Sequence, residues 1–332
     1  MRIAIVGAGA IGTWLGARIA AAGHEVSVLA RGETLATVAR DGLRLDLDGE
    51  RIGAPVRASD RAEDLGPQDA VLIAVKGNAL IDLAGQLAPL IGPDTLIVPA
   101  MNGVPWWFML GGSGDHSPLP LDPMPLTSVD PAGTIAAALP LDLVVGAVVH
   151  ASVGSAGPGH AVHKAGNRLI LGAPFGPAGP RLQALAETLA ECGFTIELSD
   201  NIRQAIWYKL WGNMTMNPIS AFTGATCDRI LDDDLVGGFV LAVMEEARAI
   251  GDRIGCAITE RGEDRCAVTR QLGAFRTSML QDVDAGRPLE IDLLLSAPRE
   301  IAVALGIATP CLDALTGLTR LFARTRGLYP DV

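Results

Sequence analysis

The rhythm of apolar and polar positions changes near residue 200. Before that point, short apolar runs alternate with helical patterns. Arg2–Val6 alternates little and reads as a buried parallel strand. A helix is predicted from about Ala10 to Ala22, stopping at Gly23, and EVSVLAR (Glu25–Arg31) reads as a second strand. AVLIAVK (Ala70–Lys76) and TLIVPAMNG (Thr95–Gly103) predict two more strands, each ending in polar residues. Residues 141–174 read as strand, turn, strand, turn, strand; Pro174–Leu189 as a capped helix; TIELSD as a last strand. From Asn201 onward, apolar spacings of three and four predict helices almost throughout. The expected fold class is α/β: an N-terminal Rossmann-type doubly wound sheet over residues 1–200, followed by an all-helical C-terminal domain over residues 201–332.

The first strand runs directly into GAGAIG, the residues Gly7, Ala8, Gly9, Ala10, Ile11 and Gly12. Strand, glycine turn, helix and strand together form the context of a dinucleotide fingerprint. The first glycine permits the tight turn, the second lets a pyrophosphate approach the backbone, and the third lets helix and strand pack closely. Unpaired N–H groups at the helix N-terminus then face the anion. At the end of the second strand a carboxylate would bond the ribose 2′-hydroxyl of NAD. This chain has Arg31 there, which suits the 2′-phosphate of NADP. Lys76 and Asn102 close two later strands, and ligands of open α/β sheets bind beyond such strand ends.

Composition narrows the partners. With 49% apolar residues, a large core is available and disorder is not expected. The formal net charge of −11 disfavours nucleic acid and anionic membrane as partners. The apolar N-terminus mimics a secretory signal, but Arg18 interrupts it and the glycine spacing explains it better. Five cysteines without a CxxC pair read as free thiols of a reducing, cytoplasmic compartment. His150, His160 and His163 lack zinc-ligand spacing, so no metal is expected and surface positions on a hairpin are the default. The segment Val104–Leu141, opening with VPWWF and rich in Pro, Gly and Ser, reads as a long loop; anchoring is the first reading of Trp106 and Trp107 at its base.

One helical stretch, WYKLWGNMTMNPISA, is apolar except for Lys209, Asn213 and Asn217, which share one helix face. Buried amides and ammoniums are costly unless something bonds to them. That partner is either a neighbouring element or a ligand.

Together, GAGAIG, Arg31, Lys76 in AVK, the Asn-Gly of MNG, the helix NIRQAIWYKLWGNMTMNPISA, and SMLQD followed by EID resemble the ketopantoate reductase (2-dehydropantoate 2-reductase) family over nearly the whole chain. The resemblance implies reduction of a 2-oxo acid to a 2-hydroxy acid by NADPH, 2-dehydropantoate to pantoate in pantothenate synthesis, in a cleft between a Rossmann domain and a helical domain. It implies Lys209 as proton donor to the ketone oxygen and Glu290 as second catalytic acid. It places Asn102 near nicotinamide and substrate, Asn213 and Asn217 on the substrate, and Ser278 on the substrate carboxylate. It also suggests a homodimer formed through the helical domain. Two departures touch substrate recognition: the long Val104–Leu141 loop, and Phe275 where some members carry an asparagine. A bulkier or more apolar 2-oxo acid, or another ketone or imine, is the second reading; a non-catalytic NADPH sensor is the third.

Overall fold

The computed structural model describes residues 1–111 and 123–331. The chain divides into two compact units, Met1–Met101 with Ala132–Ala205, and Asn102–Pro131 with Ile206–Val332. The segment from Asn102 to Pro131 therefore belongs with the helical unit, although its place in the sequence put it with the sheet. Part of the Val104–Leu141 loop, residues 112–122, lies outside the described residues.

In the first unit, a five-stranded parallel sheet runs in the order β5 (Arg57–Ser59), β2 (Glu25–Leu29), β1 (Arg2–Val6), β6 (Gln68–Ile73), β7 (Ile91–Pro99). β1 lies at the centre with Ile3, Ala4, Ile5 and Val6 fully buried, which is why these four residues after Arg2 are all apolar. The order reverses between β1 and β6, the switch point at which such sheets open a crevice.

The remaining strands form a second sheet. β3 (Leu43–Leu47) and β4 (Glu50–Ala54) make an antiparallel hairpin through Asp48 and Gly49, both at positive φ. Asp-Gly is the preferred turn for such a hairpin, and this pair was not predicted from sequence. β8 (Gly146–Gly157) and β9 (His160–Gly172) form one long hairpin, and β9 also pairs in parallel with β3 and with β10 (Thr195–Leu198). The three-strand reading of residues 141–174 is thus corrected to two. Inside this hairpin the register slips by one at a bulge, where Gly166, at φ +73°, sits against the His150 carbonyl. His160 is bonded to Asp46 (2.9 Å), and His163 stacks on the buried Trp14.

The second unit is helical. Its long helix Ile202–Thr223, which begins in the first unit, is fastened by two tryptophans. Trp207 Nε1 donates to the Ala247 carbonyl (3.1 Å) and Trp211 Nε1 to that of Met244 (2.7 Å), both on the helix Asp234–Arg253. Trp106, Trp107 and Phe108 are buried, with Phe108 stacked on Trp207 (6.0 Å between ring centroids). They anchor the start of the loop in the core. Further on, Glu300 accepts hydrogen bonds from the backbone and hydroxyl groups of both Thr127 and Ser128 (2.6–2.9 Å).

Candidate functional site

The first unit holds a cleft of about 390 Å³ at the switch point. Gly7, Ala8 and Gly9 line one side and Arg31 and Thr34 another. The three glycines meet different constraints. Gly7 has φ +92°, and an added Cβ would lie 2.6 Å from Val75 Cγ1. A Cβ at Gly12 would collide with the Gly7 carbonyl, so this glycine sets the helix against the strand. A Cβ at Gly9 would meet no protein atom within 4 Å. Protein packing does not require that third absence of a side chain; the approach of a pyrophosphate would. Gly9 caps the helix Ala10–Ala21, and Ala10 and Ile11 supply its first-turn N–H groups. A nicotinamide dinucleotide fits this donor set.

Arg31 is exposed, two residues past β2, and caps the helix Gly32–Asp41. Lys76 caps the helix Gly77–Leu83 and is not among the residues lining the cleft, although Val75 and Ala79 on either side of it are. Sequence reasoning missed Thr34, Asp60 and the β8–β9 hairpin tip at Ser155, Gly157 and Pro158, all of which line the cleft. The Gly-Pro-Gly turn was visible, but its place over a distant glycine motif was not.

The second unit brings together three residues far apart in sequence. Lys209 Nζ donates to Asn102 Oδ1 at 2.8 Å. Removal from water pushes the Lys209 ammonium down to about 8, and the charge of Glu290 opposes that drop. Asn213 and Asn217 follow one and two turns along the same helix. Asn217 is only 5% exposed, and neither side chain forms a hydrogen bond among the described residues. Buried amides are normally hydrogen-bonded, so these two can accept an external partner. Ser278 is exposed at the start of the helix Ser278–Asp284. Its neighbour Thr277 is tied to the Lys209 helix by the Ser220 hydroxyl (2.5 Å), and Ser220 in turn donates to the Asn217 carbonyl (2.9 Å). Phe275 bonds through its carbonyl to Cys227 N (3.0 Å).

A half-buried lysine, its amide partner and an opposing carboxylate can stabilise and protonate a developing oxyanion. The family model "Ketopantoate reductase PanE/ApbA" matches residues 3–105, and its C-terminal counterpart matches residues 201–323. The chain belongs to the ketopantoate reductase family. Its similarity to 2-dehydropantoate 2-reductase of Mesorhizobium japonicum is 42% identity, over 99% of this chain and 100% of that one. The crystal structure of a candidate ketopantoate reductase from Ralstonia solanacearum MolK2 is 56% identical, covers 99% of both chains and superposes with a TM-score of 0.94. The 2-dehydropantoate 2-reductase structure from Methylococcus capsulatus is 29% identical over 98% of both chains, with a TM-score of 0.82. As a ketopantoate reductase family member the chain is an oxidoreductase with a Rossmann-like unit and a helical one. Among the described residues no helix is long and apolar enough to cross a membrane, and no His, Cys, Asp and Glu group could hold a metal ion.

Proposed function

We propose that this chain reduces 2-dehydropantoate to pantoate with NADPH. The observation that carries the reading is Lys209, half-buried on an apolar helix with its ammonium in a desolvated setting, bonded to Asn102 and facing the charge of Glu290. When bound, the reduced nicotinamide supplies the hydride. The chain's own residues manage the charge that builds on the ketone oxygen. The Lys209 ammonium stabilises that oxygen and delivers the proton; a donor whose pKa lies near working pH is the efficient one. Asn102 orients the ammonium, and Glu290 keeps it charged at neutral pH despite burial. Asn213 and Asn217 offer unused amides to substrate hydroxyl and carboxylate groups, and Ser278 adds a hydroxyl. Arg31, on the cleft wall, supports preference for the 2′-phosphate of NADPH over NADH. Lys76, beside that wall, offers a second cation to the cofactor, and Asn102 is assigned to nicotinamide and substrate alike.

A second reading keeps the chemistry and changes the acid. Phe275, three residues before Ser278, is an aromatic group in a polar substrate segment, and it favours a more apolar 2-oxo acid. Steady-state NADPH oxidation with 2-dehydropantoate and a panel of 2-oxo acids tests both. Turnover of 2-dehydropantoate supports the first reading. Turnover of another acid alone selects the second, and cofactor binding without turnover of any acid defeats both. A cytoplasmic homodimer completes the proposal, supported by the free cysteines and by exposed Leu318 and Leu321 on the last helix. A monomer in sedimentation equilibrium would remove the dimer from it.

A further inference from the structure

Asn102, which holds the Lys209 ammonium, lies in a segment without regular structure. What fixes it is the turn that follows Glu290. Gly103 has φ +85°, and an added Cβ would lie 2.6–2.7 Å from the carbonyl group and Cβ of Leu293. The next residue, Val104, donates its N–H to the Leu293 carbonyl at 2.9 Å. That carbonyl is available for a reason in the sequence. Residues Asp292–Ser296 form one π-helical turn, in which Ala297 N–H bonds the Asp292 carbonyl. The i+5 donor for Leu293 would be residue 298, and Pro298 has no N–H.

The same turn is held from its other side. Asp292 Oδ1 accepts from Ser296 Oγ (2.9 Å) and from the Tyr329 hydroxyl (2.7 Å). Leu289 N–H donates to the Leu328 carbonyl at 2.9 Å. Glu290 thus sits between two tethers to the C-terminal segment, one on each side of it in sequence. The two groups that act on Lys209, an amide and a carboxylate distant in sequence, are both referenced to one five-residue turn.

We propose that this π-helical turn is a positioning element for the proton donor, with Gly103, Pro298 and Tyr329 as its positioning residues. The inference rests on Lys209 being the donor, but its test does not need turnover. The chain has three lysines, Lys76, Lys164 and Lys209. In full-length protein labelled with ¹³C-lysine, the Cε signal lost in Lys209→Ala identifies Lys209, and a pH titration reads its midpoint directly. Pro298→Ala restores an N–H that competes for the helical carbonyls, and Tyr329→Phe removes a single hydroxyl. Both variants are expected to move the Lys209 midpoint by about half a pH unit or more, and to lower kcat roughly three- to tenfold through misplacement of the donor. KM for NADPH should stay within about twofold, since positioning acts on the transition state. A midpoint unchanged in both variants would overturn the proposal, even if kcat falls in step with Tm, because the turn would then serve stability alone. Retained turnover in Lys209→Ala would instead overturn the assignment of the donor and leave the titration to judge the positioning.

Discussion

The two units build their sites by opposite means. The cleft of the first unit is made from what the chain leaves out. Gly7, Gly9 and Gly12 fall within six residues, at the start of the helix Ala10–Ala21. The group in the second unit is made from side chains that are costly to bury: an ammonium, an amide and a carboxylate at positions 102, 209 and 290. In the proposed function the first arrangement serves an anion that does not change during reaction, and the second serves charge that exists only in the transition state. Mutations in the first should therefore register in affinity, and those in the second in turnover.

The largest expected effect lies in the second unit. Lys209→Ala should lower kcat by about 10²- to 10⁴-fold, the usual contribution of a positioned general acid, with the Kd for NADPH nearly unchanged in a fluorescence titration. Equal losses in binding and turnover would place Lys209 on the cofactor instead. The pH profile sharpens the point. A donor must carry its proton, and Lys209 loses it near pH 8. kcat should be flat below that pH and fall above it, with the limb absent from the residual activity of Lys209→Ala.

The glycines come next because they separate packing from binding within one motif. Gly12→Ala places a methyl group against the Gly7 carbonyl, so it should destabilise the fold by about 1–3 kcal/mol, in the range of other overpacked sites. Gly9→Ala meets no protein atom. Its Tm should stay close to the parent value while NADPH affinity falls, because the methyl group occupies ligand space. Loss of stability in Gly9→Ala with affinity intact would reverse the assignment. Arg31→Asp should weaken NADPH by about tenfold or more, as loss of a charge-assisted contact worth roughly 1.5–3 kcal/mol implies, and leave NADH binding less affected. Equal affinities of the parent for both cofactors would already contradict that role.

This contrast explains what could be read before the fold was known. The dinucleotide motif is local: its glycines, strand and helix are contiguous, and each constraint acts over a few residues. Lys209, Asn213 and Asn217 could be placed on one face because helical spacing is local too. Which group would meet Lys209 was not local. Asn102 had been read as the end of a strand, while β7 ends at Pro99 and Asn102 belongs to the helical unit. Its position depends on Gly103, Leu293 and a proline nearly 200 residues further along, a pairing that no periodicity encodes. The β3–β4 hairpin is a different kind of omission. Its Asp48-Gly49 turn and alternating LRLDL are local signals, but the hairpin interrupts the strand–helix alternation of the first sheet and pairs with β9, more than 100 residues later, instead. The bulge at Gly166 mimics a turn in sequence, since both need a glycine at positive φ.

The smallest expected effect tests whether the proposed catalytic group is costly to the fold. The Lys209 ammonium has a pKa near 8 in the folded chain, below the ordinary 10.5. A depressed lysine pKa means that the unfolded chain holds the proton more tightly. Below pH 8 both states are protonated and the folded state carries the full penalty of a desolvated charge. Between pH 8 and 10.5 the unfolded state binds more protons, so this contribution to stability rises with pH and the penalty disappears. Replacing the lysine by methionine alone would strand the Glu290 carboxylate, so Lys209→Met is best combined with Glu290→Gln. The double variant should be more stable than the parent at pH 7 by about 1–3 kcal/mol, the scale of linkage for a shift of this size. The gain should shrink as pH rises through the same window. Urea unfolding of both proteins at pH 7 and pH 10 measures it. A double variant less stable than the parent at pH 7 would mean that the lysine, its amide and its carboxylate stabilise the helical unit as a network, and that their arrangement serves the fold before it serves a substrate.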